Sequence, residues 1–267
     1  MPLQTTSGAA SYDAFGGGVP VEPVYIEQIF STYLYTGTGT GVTQRIASGI
    51  DLATKGGMVW TKTRAVVQDH QIFDTARGER KYIRSNTTDA EFDSGANSVQ
   101  YKTSGWDAFA YVNDLNVSFA SWTFRKQPKF FDVVTYTGTG SNTTIAHSLG
   151  SVPGCIIVKR TDTTAAWAVY HRSLANTEYL VLNTGAAKAT GATWWNSTTP
   201  TSTVFSLGTD TTVNGSAKTY VAYIFAHDAG GFGLAGTDNV ISCGSFTADG
   251  SGGATVNLGY EPQWIMY

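Results

Sequence analysis

The sequence predicts an all-β protein, in which an extended N-terminal arm precedes tandem antiparallel β-sandwich units of about 100 residues each. Three observations carry this. The chain holds 30 Gly and 38 Thr among 267 residues, with abundant Val, Ile and aromatic side chains, whereas the Leu, Lys and Glu that fill surface helices are thin. It repeats itself at an offset of 101 residues. Each repeat also breaks into short apolar runs separated by Gly, Asn, Ser and Thr turns.

The arm, residues 1–29, contains Gly16-Gly17-Gly18 and Pro2, Pro20 and Pro23, which forbid a helix. Its few large apolar side chains, among them Tyr12, Phe15, Val19 and Tyr25, cannot bury enough surface to order it alone, so order is expected only on contact with a partner. The first unit, 30–130, and the second, 131–233, share landmarks. Tyr35-Thr36-Gly37-Thr38-Gly39 recurs as Tyr136-Thr137-Gly138-Thr139-Gly140, and Val112-Asn113 as Val213-Asn214. Phe119, Trp122 and Phe124 recur as Tyr220, Tyr223 and Phe225, so one strand order is expected for both units. Strands are expected at Cys155–Lys159, at Glu178–Leu182 and at Thr219–Phe225. The first of these is apolar up to its Lys, as in a strand covered on both faces. Gly230-Gly231-Phe232-Gly233 reads as a linker. Residues 234–267 then read as the start of an incomplete third unit with a strand at Gln263–Tyr267, which leads to the expectation that the biological polypeptide is longer or is completed by another chain.

Charge is sparse. The 17 Lys and Arg against 20 Asp and Glu leave −3, and charged residues make up 14% of the chain. This argues against a basic nucleic-acid surface and against an acidic disordered tail. No basic and apolar leader opens the chain and no run of about 18 apolar residues occurs, so synthesis in the cytoplasm without a signal peptide and no membrane insertion are expected. Cys155 and Cys243 have neither zinc-site nor disulfide-framework spacing and read as buried thiols. The four histidines form no metal-ligand pair, so neither a metal nor another cofactor is expected. His147, at the end of a repeat strand, reads as structural or solvent-facing.

The densest polar stretch, Asp69-His70, Asp74, Arg77, Glu79 and Arg80, could be drawn as an acid, a base and a cationic clamp. Its counterparts Ala168, His171, Leu174 and Asn176 lose nearly every one of these groups, and a salt-bridged exposed hairpin is the simpler expectation. Asp89, Glu91 and Asp93 read as a solvated acidic edge rather than a Ca²⁺ site, because no glycine-turned ligand loop surrounds them. Five Asn-x-Ser/Thr sequons follow from the abundance of Asn and Thr. Trp194-Trp195, flanked by hydroxyls and an amide, is the best candidate for a sugar-stacking platform, with one of the two rings expected in the core. No residue is expected to be catalytic.

Taken together, Tyr136-Thr137-Gly138-Thr139-Gly140, Ile145-Ala146-His147-Ser148-Leu149-Gly150, Val152-Pro153, Ile157-Val158-Lys159-Arg160, Trp195-Asn196 and Val204-Phe205-Ser206-Leu207-Gly208 resemble a tandem domain of tail-fibre-like virion proteins from marine, chiefly cyanobacterial, tailed phages. Phe73-Asp74-Thr75-Ala76-Arg77-Gly78 and Tyr82-Ile83-Arg84-Ser85-Asn86-Thr87-Thr88 resemble a second variant of that domain. The resemblance spans residues 30–267. It implies a lectin-like, jelly-roll sandwich in a virion structural protein without catalytic residues. The arm would dock to other virion proteins on the tail or near the portal, through Tyr12, Phe15, Val19 and Tyr25, and the chain would form a homo-oligomer, a trimer by likeness to phage fibres. A host-surface glycan is the expected ligand. The other readings are a free carbohydrate-binding module, a head-attached fibre or decoration protein, and a hydrolase of surface glycans.

Overall fold

The computed structural model describes residues 22–95 and 98–267. Tyr12, Phe15 and Val19, three of the four expected docking residues, lie outside the described residues.

Regular structure is almost wholly antiparallel strand. The first half carries β1 (Phe30–Thr36), β2 (Gln44–Ile46), β3 (Gly57–Thr63), β4 (Gln71–Asp74), β5 (Lys81–Tyr82), β6 (Phe92–Asp93), β7 (Val99–Lys102), β8 (Gly105–Ala108) and β9 (Ser118–Arg125). The second carries β10 (Phe131–Thr137), β11 (Thr143–Ala146), β12 (Cys155–Arg160), β13 (Trp167–His171), β14 (Glu178–Val181), β15 (Ala189–Thr190), β16 (Val204–Leu207) and β17 (Thr219–Phe225). A single helical turn, α1 (Thr211–Asn214), is capped by Asp210, whose carboxylate accepts the Thr212 amide at 2.8 Å.

The main sheet of the first half has the order β1-β9-β3-β4, and that of the second begins β10-β17-β12-β13 before continuing through β14 and β15. Registers correspond as well: Phe30 faces Phe124 and Tyr35 faces Phe119, while Phe131 faces Phe225 and Tyr136 faces Tyr220. Small sheets, β2-β8-β7 and β11-β16, cover one face of each main sheet.

The uncovered faces of the two main sheets pack on each other. Alternation along each strand explains how. In β12 and β17, Cys155, Ile157, Val221, Tyr223 and Phe225 join a central core with Met58, Trp60, Phe124 and Phe131. The intervening Ile156, Val158, Tyr220, Ala222 and Ile224 join a separate core under β11-β16. A third core, with Tyr35, Val59, Phe73, Trp106 and Phe119, lies under β2-β8-β7. Both faces of each main sheet are thus covered, which is why these strands lack polar alternation. The halves share a core rather than following one another as separate beads on a slender shaft.

Three expectations change accordingly. Residues 24–29 do not await a partner: Val24 and Ile26 pack on the central core and Ile29 is fully buried, although Tyr25 is exposed. The Gly230–Gly233 stretch is no linker, because Phe232 is buried in the central core and the Gly233 amide donates to the Val24 carbonyl at 2.9 Å. Gln263–Tyr267 forms no strand; Trp264 instead lies against Trp60, Trp122 and Phe124, with ring centroids 6.0, 6.5 and 5.4 Å away. That segment lies over the first sheet while Ile265 and Tyr267 stay exposed. None of the described helices is long and apolar enough to cross a membrane.

Candidate functional site

The repeated motifs turn out to be two halves of one lock. Tyr136 Oη donates to the Val213 carbonyl at 2.7 Å, as Tyr35 Oη does to Val112 at 2.8 Å. Fully buried Asn214 accepts the Thr139 amide at 2.8 Å and donates to the Ser141 and Gly208 carbonyls at 2.7 and 2.6 Å. Asn113 accepts the Thr38 amide and donates to Gly39 and Val42, each at 2.8 Å. Gly138 and Gly37 are required by close approach: a Cβ on either would collide with a backbone carbonyl, that of Gly215 or Asp114. These motifs therefore hold the start of each half to its last strand connection, and the buried Asn214 sequon is architectural.

The polar stretch of the first half is not an exposed hairpin. Asp74 is fully buried and the Arg77 side chain is 3% exposed. The Arg77 guanidinium meets Asp74 at 2.6 Å and Glu91 at 3.3 Å, and donates to the Ile72 carbonyl at 3.0 Å. Across the sheet interface, Tyr223 Oη donates to Asp74 Oδ2 at 2.7 Å and accepts from Arg77 at 3.2 Å. Burial alone would penalise the guanidinium charge, but the adjoining Asp74 carboxylate outweighs it and raises the Arg77 pKa. Burial likewise pushes the Tyr223 phenol well above its usual range. Glu91 also pairs with Lys81 at 2.8 Å and Asp93 with Arg80 at 2.9 Å, so these carboxylates are ion-paired edges.

A second set of bonds joins the halves nearby. Trp167 Nε1 donates to the Arg84 and Thr87 carbonyls at 3.1 and 3.0 Å. Fully buried Lys159 donates to Thr88 and Ala165 carbonyls at 2.9 and 2.6 Å. Burial lowers its pKa to about 8. Asp74, Arg77, Tyr223 and Lys159 thus rivet the two sheets together, with every strongly coupled group turned inward and hydrogen-bonded.

The Trp194-Trp195 platform is overturned by burial. Trp195 is 1% exposed and meets Tyr170 edge-on, and Trp194 is 8% exposed with its face stacked on Tyr179 at a centroid distance of 3.5 Å. Neither face is open to a sugar. His147 is buried, its Nδ1 accepting the Leu149 amide at 3.2 Å. Cys155 and Cys243 are free thiols, and burial raises the Cys243 pKa to about 12. Among the described residues no three His, Cys, Asp or Glu side chains converge as a metal site.

What is concave and accessible lies elsewhere, at the end of the second sheet where β10 and β12 begin and β13 and β17 end. An open groove of about 510 Å³ is lined there by Lys129, the Gly150–Pro153 loop, Tyr170, Arg172, Asn176, Thr199, His227 and Ala229. Among the described residues neither Lys129 nor Arg172 has a side-chain hydrogen bond or ion pair. Among the described residues no carboxylate lines the groove. His227 Nδ1 accepts the Cys243 amide at 3.1 Å, leaving the ring proton on Nε2, and burial keeps its pKa below the usual histidine value. Sequence reading missed this groove because its residues come from six separate loops and strand ends. A legible signal did exist in the repeat: the positions of Arg172 and His227 hold Thr75 and Lys126 in the first half, where Lys126 is neutralised by buried Asp132 at 2.8 Å.

No curated protein and no solved structure matches the chain. A family model described as a domain of unknown function, DUF7483, matches residues 27–267. It runs as one unit through both halves and the C-terminal segment, in keeping with their shared core, and the chain belongs to the DUF7483 family.

Proposed function

We propose that the chain is a non-enzymatic virion structural protein, a tail fibre component that docks to the particle through its N-terminal arm and contributes to host-surface adhesion. The observation that carries this reading is where the motif residues sit. Tyr136, Gly138 and Asn214 form the lock, Ile157, Val158 and Lys159 lie in the double-covered sheet, and Trp195, Phe205 and Leu207 lie in the core beneath β11-β16. These residues, which carry much of the likeness to phage fibres, are spent on architecture, as suits a protein whose task is to hold shape. The buried Asp74–Arg77–Tyr223 cluster supports the same reading, since a rivet resists shear but offers no access to a substrate.

The test is the content of gradient-purified particles. Mass spectrometry is expected to find the chain there in stoichiometric copy number, and particle imaging to show like chains in contact, three at a time. Absence from particles, with glycan binding by the soluble chain, would favour the free carbohydrate-binding module. Density on the capsid would move the protein to the head, and release of reducing ends from host polysaccharide would make it a hydrolase.

A further inference from the structure

We infer that the groove between Lys129, Arg172 and His227 binds an acidic sugar, a glycan residue bearing a carboxylate or sulfate. Two cations left without partners among the described residues face one concavity whose described lining holds no acid, the neighbouring Asp228 carboxylate lying 3.4 Å from His227 Nδ1. Such an arrangement favours an anion, and guanidinium matches a planar carboxylate in particular. The remaining lining suits a hydroxylated ring rather than a bare ion. The Tyr170 hydroxyl and the amide of Asn176 supply hydrogen-bonding groups, while exposed Val152 and half-buried Ala229 offer an apolar edge for C–H groups. The volume suits one or two sugar rings.

The backbone around the groove is shaped at a cost. Lys129 adopts φ 65 and Asp228 φ 41, left-handed conformations that side chains other than Gly rarely take. Lys129 is held there by its amide donating to the Leu149 carbonyl at 2.6 Å, and its side chain crosses Gly231, where a Cβ would crowd the lysine's alkyl chain. The first half has no equivalent, since Thr75 is engaged with Gly57 and Lys126 with Asp132. One copy of the repeat has therefore been opened and charged while the other stayed closed.

The inference builds on the adhesion reading for its biological sense, but its test is independent of particle content. The full chain is titrated with digalacturonate, its methyl ester, neutral digalactose, inorganic sulfate and inorganic phosphate, following amide and imidazole NMR signals. Digalacturonate is expected to shift residues of the groove, His227 among them, at millimolar concentration, with the ester and the neutral disaccharide binding at least about tenfold more weakly. R172A and K129A, both at exposed positions, are each expected to weaken binding about tenfold while leaving the unfolding midpoint unchanged. Equal binding of charged and neutral sugars, shifts outside the groove, or unaltered binding by both variants would overturn the inference. Sulfate or phosphate binding as tightly as the uronide would identify a simple anion site and overturn the sugar assignment.

Discussion

Asn214→Ala removes the centre of one motif lock and gives the sharpest test of how this fold is held. The substitution deletes one acceptor and two donors, stranding the Thr139 amide and the Ser141 and Gly208 carbonyls. Each bond contributes about 1 kcal/mol net, and a stranded group kept from water costs about 1–3 kcal/mol. Ser141 is exposed and can recruit water, whereas the bond to Gly208 is buried. The expected loss is therefore about 2–4 kcal/mol. Because the two main sheets share one core, the loss should move a single unfolding transition, read in urea by far-UV circular dichroism and tryptophan fluorescence together. Asn113→Ala in the other half should do the same, and the double variant should be additive to within about 0.5 kcal/mol, since the two locks share no partner. A loss below about 1 kcal/mol, or a split into two transitions of which only one moves, would refute the reasoning.

Arg77→Met should cost about 3–5 kcal/mol by leaving buried Asp74 without its counter-charge, and Tyr223→Phe a smaller amount, about 1–2 kcal/mol, both measured by denaturant midpoint. Lys159 gives a pH signature. Its folded pKa, about 8, lies below the ordinary lysine value, so between these limits Lys159 contributes a rise in stability with pH, while the buried thiols Cys155 and Cys243, whose pKa values burial raises, contribute an opposing fall because they ionise first in the unfolded chain. Above about pH 10 the unfolded tyrosines ionise first as well, because burial raises the pKa of Tyr136 and Tyr223 in the fold, and stability falls. Between pH 8 and 9.5 Lys159→Met should therefore make the slope of stability against pH more negative than in the wild-type chain, and an unchanged slope would show that Lys159 is charged at no cost.

Much of the secondary structure was legible because strand periodicity and turn residues act locally. Thr219–Phe225 is a strand with the bounds its sequence indicates, and continuous apolar runs such as Cys155–Lys159 marked strands covered twice. The candidate site was far less legible. Asp74 and Arg77 read as an exposed hairpin because a short polar run carries no sign of the Tyr223 that sits 149 positions away and buries it. Trp194 and Trp195 read as a platform because an aromatic pair looks the same in sequence whether its faces meet solvent or Tyr179 and Tyr170.

By itself, then, the sequence determined the all-β class, the recurrence of Tyr-Thr-Gly-Thr-Gly and Val-Asn in each repeat, and which residues are apolar enough to need cover. Only the tertiary structure decided what covers them. Hydrophobic burial is non-directional, so Phe124, Phe131 and Phe225 would be satisfied by any apolar face, and the choice of the other main sheet rests on shape and on the hydrogen bonds of Asp74, Arg77, Tyr223, Lys159 and Trp167 across the interface. The same holds for the groove. Lys129, Arg172 and His227 are separated by 43 and 55 residues, and their juxtaposition exists only where antiparallel pairing brings the start of β12 beside the ends of β13 and β17.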